Sequence, residues 1–322
     1  MPPLARISTP GDIPPLIVTF PMRRLFPLIL FAAASLCHGE NFTFAPRDGD
    51  HYIVTSHREI LTEMSGQANE LDISDDRAEE TVHVAGPLAR ITRVLRSESQ
   101  KEDGVEMKNP ATALLLNCPI TRVYDRKGRL IRIEGNDKLL AAARQLQPAS
   151  LREAAEAEFR TANLESTEAS AWRVAGCGWL PGHPARQDAE WEEEEPEPFT
   201  VDGQPARLHA VVRVAGLQYN GDRLAATVLM FGSTAPALLR DVRSSTVRSL
   251  DDPVVQDFIE WDVADLPLHK VISRIVVDPR TLSITERERI DVGVDGTADS
   301  LRTRIEHDTM KYAPYSPQVI VQ

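Results

Sequence analysis

Cys118-Pro119-Ile120-Thr121-Arg122-Val123-Tyr124-Asp125-Arg126-Lys127-Gly128-Arg129-Leu130-Ile131-Arg132-Ile133-Glu134 reads as two strands and the turn that joins them. The pattern predicts a strand over 118–124, a turn over 125–128 and a return strand over 129–134. Aspartate at the first turn position bonds its own backbone and glycine at the last accepts a positive φ, which suits a type I turn. The same grammar recurs 153 positions later, where strands over 270–277 and 282–292 flank Asp278-Pro279-Arg280-Thr281. Proline is pre-set there for the second turn position. The recurrence fits a duplicated lobe, and it also fits two turns chosen for the same physical reason.

Further strands lie on either side. Residues 51–64 carry Tyr52, Val54 and Ile60 on one parity and Ile53, Thr55 and Leu61 on the other, which predicts burial on both faces. Residues 80–95 show Val82 and Val84 in alternation, a Gly86-Pro87 break, then Ile91 and Val94. In the second half Leu208, Ala210, Val212 and Val214 alternate, Asn220-Gly221 signals a hairpin turn, and Leu224, Ala226, Val228 and Met230 alternate on the return.

Helix is expected between the halves. Asp137 is placed to cap a segment with Leu139, Leu140, Ala143 and Leu146 on one stripe, stopped by Pro148. Ser150 with Glu153 forms a capping box for a second helix through Leu151, Ala154, Ala155, Phe159 and Ala162. The stretch 165–207 reads as a connector, from Gly178, Pro181, Gly182, Pro184, Pro196 and Pro198 and the acidic run 192–195. The expected fold is therefore α+β: predominantly antiparallel sheet in two halves, 40–164 and 208–322, with a short helical pair packed on the sheet.

Residues 22–39, MRRLFPLILFAAASLCHG, read as a signal peptide: a basic pair, an apolar run from Leu25, and small residues at the end. Residues 1–21, rich in proline, read as an upstream extension with the start at Met22. Lipidation at Cys37 is disfavoured because bulky Leu36 stands where a small residue is needed. The expected location is periplasmic or secreted, with no transmembrane segment in the mature chain, since no later segment approaches about twenty apolar residues. Without residues 1–39 the chain keeps 33 basic and 47 acidic residues. That surface repels phosphate backbones, so nucleic acid is not an expected partner.

Two cysteines remain in the mature chain, Cys118 and Cys177, in a compartment that permits disulfides. Their pairing would close a loop of about sixty residues, worth about 4 kcal/mol on the chain-entropy model. The competing reading is two separate buried thiols. Histidines 51, 57 and 83 can share a sheet face, but residues six apart on a strand are about 20 Å apart, too far to share a metal. No GxSxG, HExxH, CxxC or glycine-rich phosphate loop occurs, and carboxylates are too numerous for spacing to single out an acid–base pair. Trp172, Trp179 and Trp191 bracket the Gly/Pro segment, as core packing or as the walls of an apolar groove.

The segment from Pro119 to Gly135, P-x-T-x-x-Y-D-x-x-G-x-L-x-x-I-x-G, followed by a helical pair and Leu180-Pro181 leading to Trp191, resembles uncharacterised exported bacterial proteins built on curved antiparallel sheets. The resemblance implies a cupped sheet and transfers no catalytic residue. By architecture such a sheet is also similar to periplasmic lipoprotein carriers and lipid-binding proteins. The expected function is a non-catalytic binding or envelope-associated role, with an apolar ligand or an envelope protein as partner and no cofactor or metal. The alternative is a secreted hydrolase whose site gathers scattered histidines and carboxylates. An apolar concave face favours binding, and histidines converging with carboxylates in a cleft favour catalysis.

Overall fold

A computed structural model describes residues 40–65, 67–174, 177–201, 204–220, 223–260, 268–297 and 300–316. The expected signal peptide, Cys37 and the Asn220-Gly221 turn's second residue lie outside them. In chain order the strands are β1 His51–Met64, β2 Glu70–Ala85, β3 Leu88–Glu102, β4 Val105–Met107, β5 Pro119–Tyr124, β6 Leu130–Glu134, β7 Glu190–Val201, β8 Gln204–Asn220, β9 Arg223–Ser233, β10 Leu268–Val277, β11 Ile284–Thr297 and β12 Ser300–Pro314. The helices are α1 Pro110–Leu115, α2 Asn136–Ala143, α3 Ala149–Glu158, α4 Thr161–Val174, α5 Leu239–Ser244 and α6 Pro253–Ile259. The protein is mostly antiparallel sheet with few helices.

All the strands join one sheet in the order β6-β5-β3-β2-β1-β12-β11-β10-β9-β8-β7, with β4 beside β3. Each half is an antiparallel meander, with α1 in the link from β3 to β5 and α5 and α6 in the link from β9 to β10. The two meanders meet where β1 pairs antiparallel with β12, from Tyr52 opposite Pro314 to Met64 opposite Arg302. The two expected halves are thus contiguous parts of a single sheet. The recurring hairpins are not equivalent in it: β5 and β6 sit at an edge, β10 and β11 in the interior. Moreover, 153 positions after β3 the chain is in α5 and α6, not in a strand. The shared grammar is turn chemistry. Asp125 Oδ1 accepts from Lys127 N at 2.8 Å and Arg129 N at 3.0 Å, while Asp278 Oδ1 accepts from Arg280 N at 2.9 Å.

Strands β8, β9 and β10 are buried on both faces. Leu208, Ala210, Val212, Val214, Val228, Met230, Val271, Ile275 and Val277 point inward to a cluster that also holds Phe42, Phe44, Ala89, Tyr124, Cys177 and Trp179. Because Ala89 and Tyr124 belong to β3 and β5, the sheet brings its two flanks onto one core. The opposite parity, Val211, Leu229, Phe231 and Ile272, packs under α5 and α6. Each of those short helices ends on a buried cation from the sheet. Arg213 donates to the carbonyls of Val242 and Ser245 at the end of α5, and Lys270 donates to those of Phe258 and Glu260 at the end of α6. These last-turn carbonyls lack helical partners, so the cations satisfy them and oppose the helix dipole.

The expected helical pair is present as α2 and α3, whose Leu139, Leu140, Ala143, Leu146, Ala155 and Phe159 pack with Leu114, Leu115 and Cys118. The caps differ from expectation. Gly135 (φ 97°) is the N-cap of α2 and Pro148 that of α3, and neither helix has a side-chain cap. A β-carbon on Gly135 would stand 2.5 Å from the Pro119 carbonyl oxygen, so the close approach of β6's end to β5's start decides the residue. Helix α1 was not expected from the sequence, although Asn109 capping Ala111 N with Pro110 in the first turn is an ordinary start signal.

The stretch 165–207, expected as a Pro/Gly/acidic connector, holds most of α4, a 3-10 turn at Cys177–Trp179 and all of β7. Prolines are tolerated in β7 because it is the last strand of the sheet and its outer N–H row needs no ladder partner. Cys118 and Cys177 are both free thiols rather than a disulfide. They pack into separate clusters, Cys118 beneath α1 and α2 and Cys177 in the main core. No helix among the described residues is long and apolar enough to cross a membrane.

Candidate functional site

The inner face is apolar at its flanks and charged across its middle. Strand pairing puts Arg287, Arg289 and Asp291 of β11, Glu306 and Asp308 of β12, Arg58 of β1, Asp76 and Glu80 of β2, Arg93 of β3 and Arg122 of β5 on one side of the sheet. They pair with one another: Arg287 with Asp308, Arg289 with Asp291, Arg58 with Glu306 at 2.8 Å, and Arg122 with Glu80 at 2.8 Å. A buried charge is tolerable only with such partners.

Beside the Glu80–Arg122 pair lies a cavity of about 230 Å³. Phe44, Tyr52, Tyr124, Trp172, Met310 and Tyr312 supply most of its apolar wall, and Glu80, Arg93, Arg122, Glu168 and Arg287 its polar one. Helix α4 covers it with residues spaced along one stripe. Glu165 Oε1 accepts from Ile133 N on the edge strand at 3.3 Å, Glu168 reaches Arg122 at 3.5 Å, and Trp172 packs on Tyr124 with centroids 5.3 Å apart. Phe44 meets the Trp172 ring edge-on at 6.0 Å. Burial pushes the Tyr312 phenol up to about 12 and raises Tyr124 further, so both hydroxyls stay protonated as hydrogen-bond donors.

Trp172, Trp179 and Trp191 all belong to, or pack against, the main core cluster. Only Trp172 lines the cavity. Trp191 stacks on His183 at 4.4 Å, and Trp179 is buried in the 3-10 turn. The indole N–H groups of Trp172 and Trp191 are buried without a hydrogen-bond partner. Among the described residues, the three histidines that can share a sheet face are not gathered: His57 pairs with Asp75 and Glu59, His83 with Asp48, and His51 with Glu79.

The most buried histidine was not singled out by the sequence. His269 Nδ1 donates to Glu197 at 2.9 Å and Nε2 to Asp291 at 3.0 Å, so the ring is an imidazolium. Burial opposes that charge, but the hydrogen bonds to Asp291 and Glu197 outweigh it and hold the group at about 9. Burial likewise opposes the Asp291 carboxylate, and His269 and Arg289 hold it at about 2. The Cys177 thiol is pushed up to about 12 by burial, the opposite of a reactive cysteine.

No family model matches the chain, and no curated protein matches it. Among solved structures it has partial likeness to lipovitellin, described for its lipid–protein interactions, with TM-score 0.45, 10% identity, 85% of this chain covered and 26% of that one. It also has partial likeness to the hypothetical lipoprotein YmcC of Escherichia coli K12, with TM-score 0.23 and 8% identity over 90% and 97% of the two chains. A third is the translocator domain of autotransporter NalP from Neisseria meningitidis, with TM-score 0.23 and 5% identity over 89% and 94%. The chain spans about a quarter of the lipovitellin chain, and at these scores none of the three bears on what it binds.

Proposed function

We propose that this is an exported, non-catalytic binding protein that holds a small apolar or amphipathic molecule in the cavity under α4. The observation that carries the reading is the partly open cavity of about 230 Å³ walled by aromatic rings, with a few convergent polar groups at one side. That combination is the usual form of a small-molecule site, and the volume lies below the roughly 300–1,000 Å³ of drug-sized pockets, which points to a small ligand. Export, read from residues 22–39, is part of the same proposal. The hydrolase alternative has less support. No histidine lines the cavity under α4, so its carboxylates have no histidine to act with there.

Native mass spectrometry of the purified full chain, followed by organic extraction, tests this. A co-purifying small molecule that is lost on Trp172→Ala supports it. A protein that is ligand-free and whose tryptophan emission is unmoved by a panel of apolar probes overturns it.

A further inference from the structure

A second cavity, about 260 Å³, lies on the other side of the charged wall. Leu95, Leu115, Ile120, Leu139 and Leu164 make it aliphatic where the first is aromatic, and Cys118 lines it as well. Arg93, Arg122 and Glu168 line both spaces. The three residues are therefore a partition between chambers of different chemistry.

The partition is unevenly held. Arg122 Nη2 is 2.8 Å from Glu80, whose side chain is 9% exposed, but Nη1 is 3.5 Å from Glu168, whose side chain is 35% exposed. Arg93 reaches Glu80 only at 3.7 Å. Glu80 is thus a fixed counter-ion shared by two guanidiniums, and Glu168 is a loose one carried on a helix. A guanidinium presents a planar fork that matches a carboxylate with two parallel hydrogen bonds, a geometry Glu168 does not make here. Asp76 also lines the second cavity.

We infer that the two cavities form one site for a single-chain amphiphile with a carboxylate head, a medium-chain fatty acid, whose head replaces Glu168 on Arg122 and whose chain lies in the aliphatic cavity. The inference rests on the proposed binding role, keeps the head at the polar wall of the first cavity and extends the site into the second. The exchange leaves the charge facing Arg122 unchanged, because one carboxylate leaves its Nη1 as another arrives. It also returns Glu168 to water, where a carboxylate is best solvated. The chain, in turn, buries its methylenes against leucine and isoleucine, each CH₂ removed from water adding to the affinity.

The test compares decanoate with decanol on the full chain by calorimetry, with alkylation of Cys118 by N-ethylmaleimide as a reporter of the second cavity. Decanoate is expected to bind at least tenfold tighter than decanol, and Glu168→Gln to tighten decanoate further while leaving decanol unchanged. Arg122→Gln is expected to reduce decanoate to the level of decanol. Because that variant strands Glu80 and can fail to fold, Glu168→Gln carries the test without it. Saturating decanoate should slow Cys118 alkylation several-fold, mapped by peptide mass spectrometry. Equal binding of decanol and decanoate, or no tightening in Glu168→Gln, overturns the carboxylate assignment and leaves an apolar site standing. Unchanged Cys118 alkylation at saturation overturns the placement of the chain. Binding of neither compound overturns the inference, and the proposed role falls with it only if the co-purification test also returns an empty protein.

Discussion

Phe44 closes over Gly128, its Cγ lying 3.1 Å from where a β-carbon on that glycine would stand. Gly128 ends the turn between β5 and β6, so the chain just after residue 40 is seated on a hairpin 84 residues further on, counted from Phe44 to Gly128. The same short segment reaches the second half. Thr43 N donates to the Pro279 carbonyl at 2.9 Å, Phe42 N to that of His183 at 2.9 Å, and Arg280 pairs with Glu40 at 2.8 Å. Gly128 (φ 76°) and Gly49 (φ 81°) both occupy the left-handed region, but nothing lies within 4 Å of a β-carbon on Gly49. Gly49→Ala is expected to cost about 1 kcal/mol for the backbone alone, and Gly128→Ala about 1 kcal/mol more for displacing Phe44. Chemical denaturation of the two variants measures the difference, and equal losses would mean Phe44 yields without cost.

His269 links β7 to β11 through its two carboxylates, and the link depends on pH. Its folded value, about 9, lies above the ordinary 6.5, so the stabilisation is complete below about pH 6.5 and is lost as pH rises through 9. Asp291, at about 2 against 3.8, adds stabilisation that is present above about pH 4 and is lost as pH falls through 2. Wild-type melting temperature should fall between pH 6.5 and 9.5, with roughly 2–4 kcal/mol at stake. His269→Gln is expected to be less stable at pH 6 and to show a shallower alkaline decline. A decline of the same slope in the variant would assign the pH dependence to other groups.

The thiols are expected to behave independently. Cys118 is partly exposed and Cys177 fully buried with its thiol pushed to about 12, so alkylation of the native protein should modify Cys118 and spare Cys177 until denaturant unfolds the chain. Non-reducing peptide mass spectrometry showing the two joined would refute the separate packing of these residues.

Strand β7 is a sheet edge protected by charge. Glu192 and Glu194 alternate with inward Trp191, Glu193 and Glu195 and pair outward with Arg243, Arg207 and His209. Replacing both by valine would leave a flatter apolar edge with a free row of N–H groups. The double variant is expected to self-associate with rising concentration in sedimentation velocity runs while the parent chain does not. A monomeric double variant would place the protection elsewhere.

Strand and turn content was largely legible. Asp125, Gly128, Asp278 and Pro279 act within four residues of themselves, and the alternation at 208–214 and 224–230 survives because those residues face one core. Other features were misread for physical reasons. The acidic run at 192–195 looks like a solvated linker, yet alternation splits it, with Glu195 buried inside and Glu194 outside. The cavity was not legible, since Trp172 was the sole lining residue picked out, and Arg122, Glu80, Glu168 and Tyr312 lie scattered across four elements. A sign existed in β11, where Glu286, Arg287, Glu288 and Arg289 put charge on both faces of a strand, but such a run reads as exposed until its neighbours are known.

Local chemistry written in the chain determined where it turns, which stretches extend and that extended segments dominate, because turn geometry and side-chain alternation act over a few residues. Only the tertiary structure decided that β1 pairs with β12, that residues 40–44 tie both meanders together, and that ten charged side chains line the inside of the sheet rather than its outside. Those outcomes depend on which strands become neighbours. A charge on a strand is solvated or buried according to what lies across from it, and strand order alone sets that partner, which is Glu306 for Arg58 and Glu80 for Arg122.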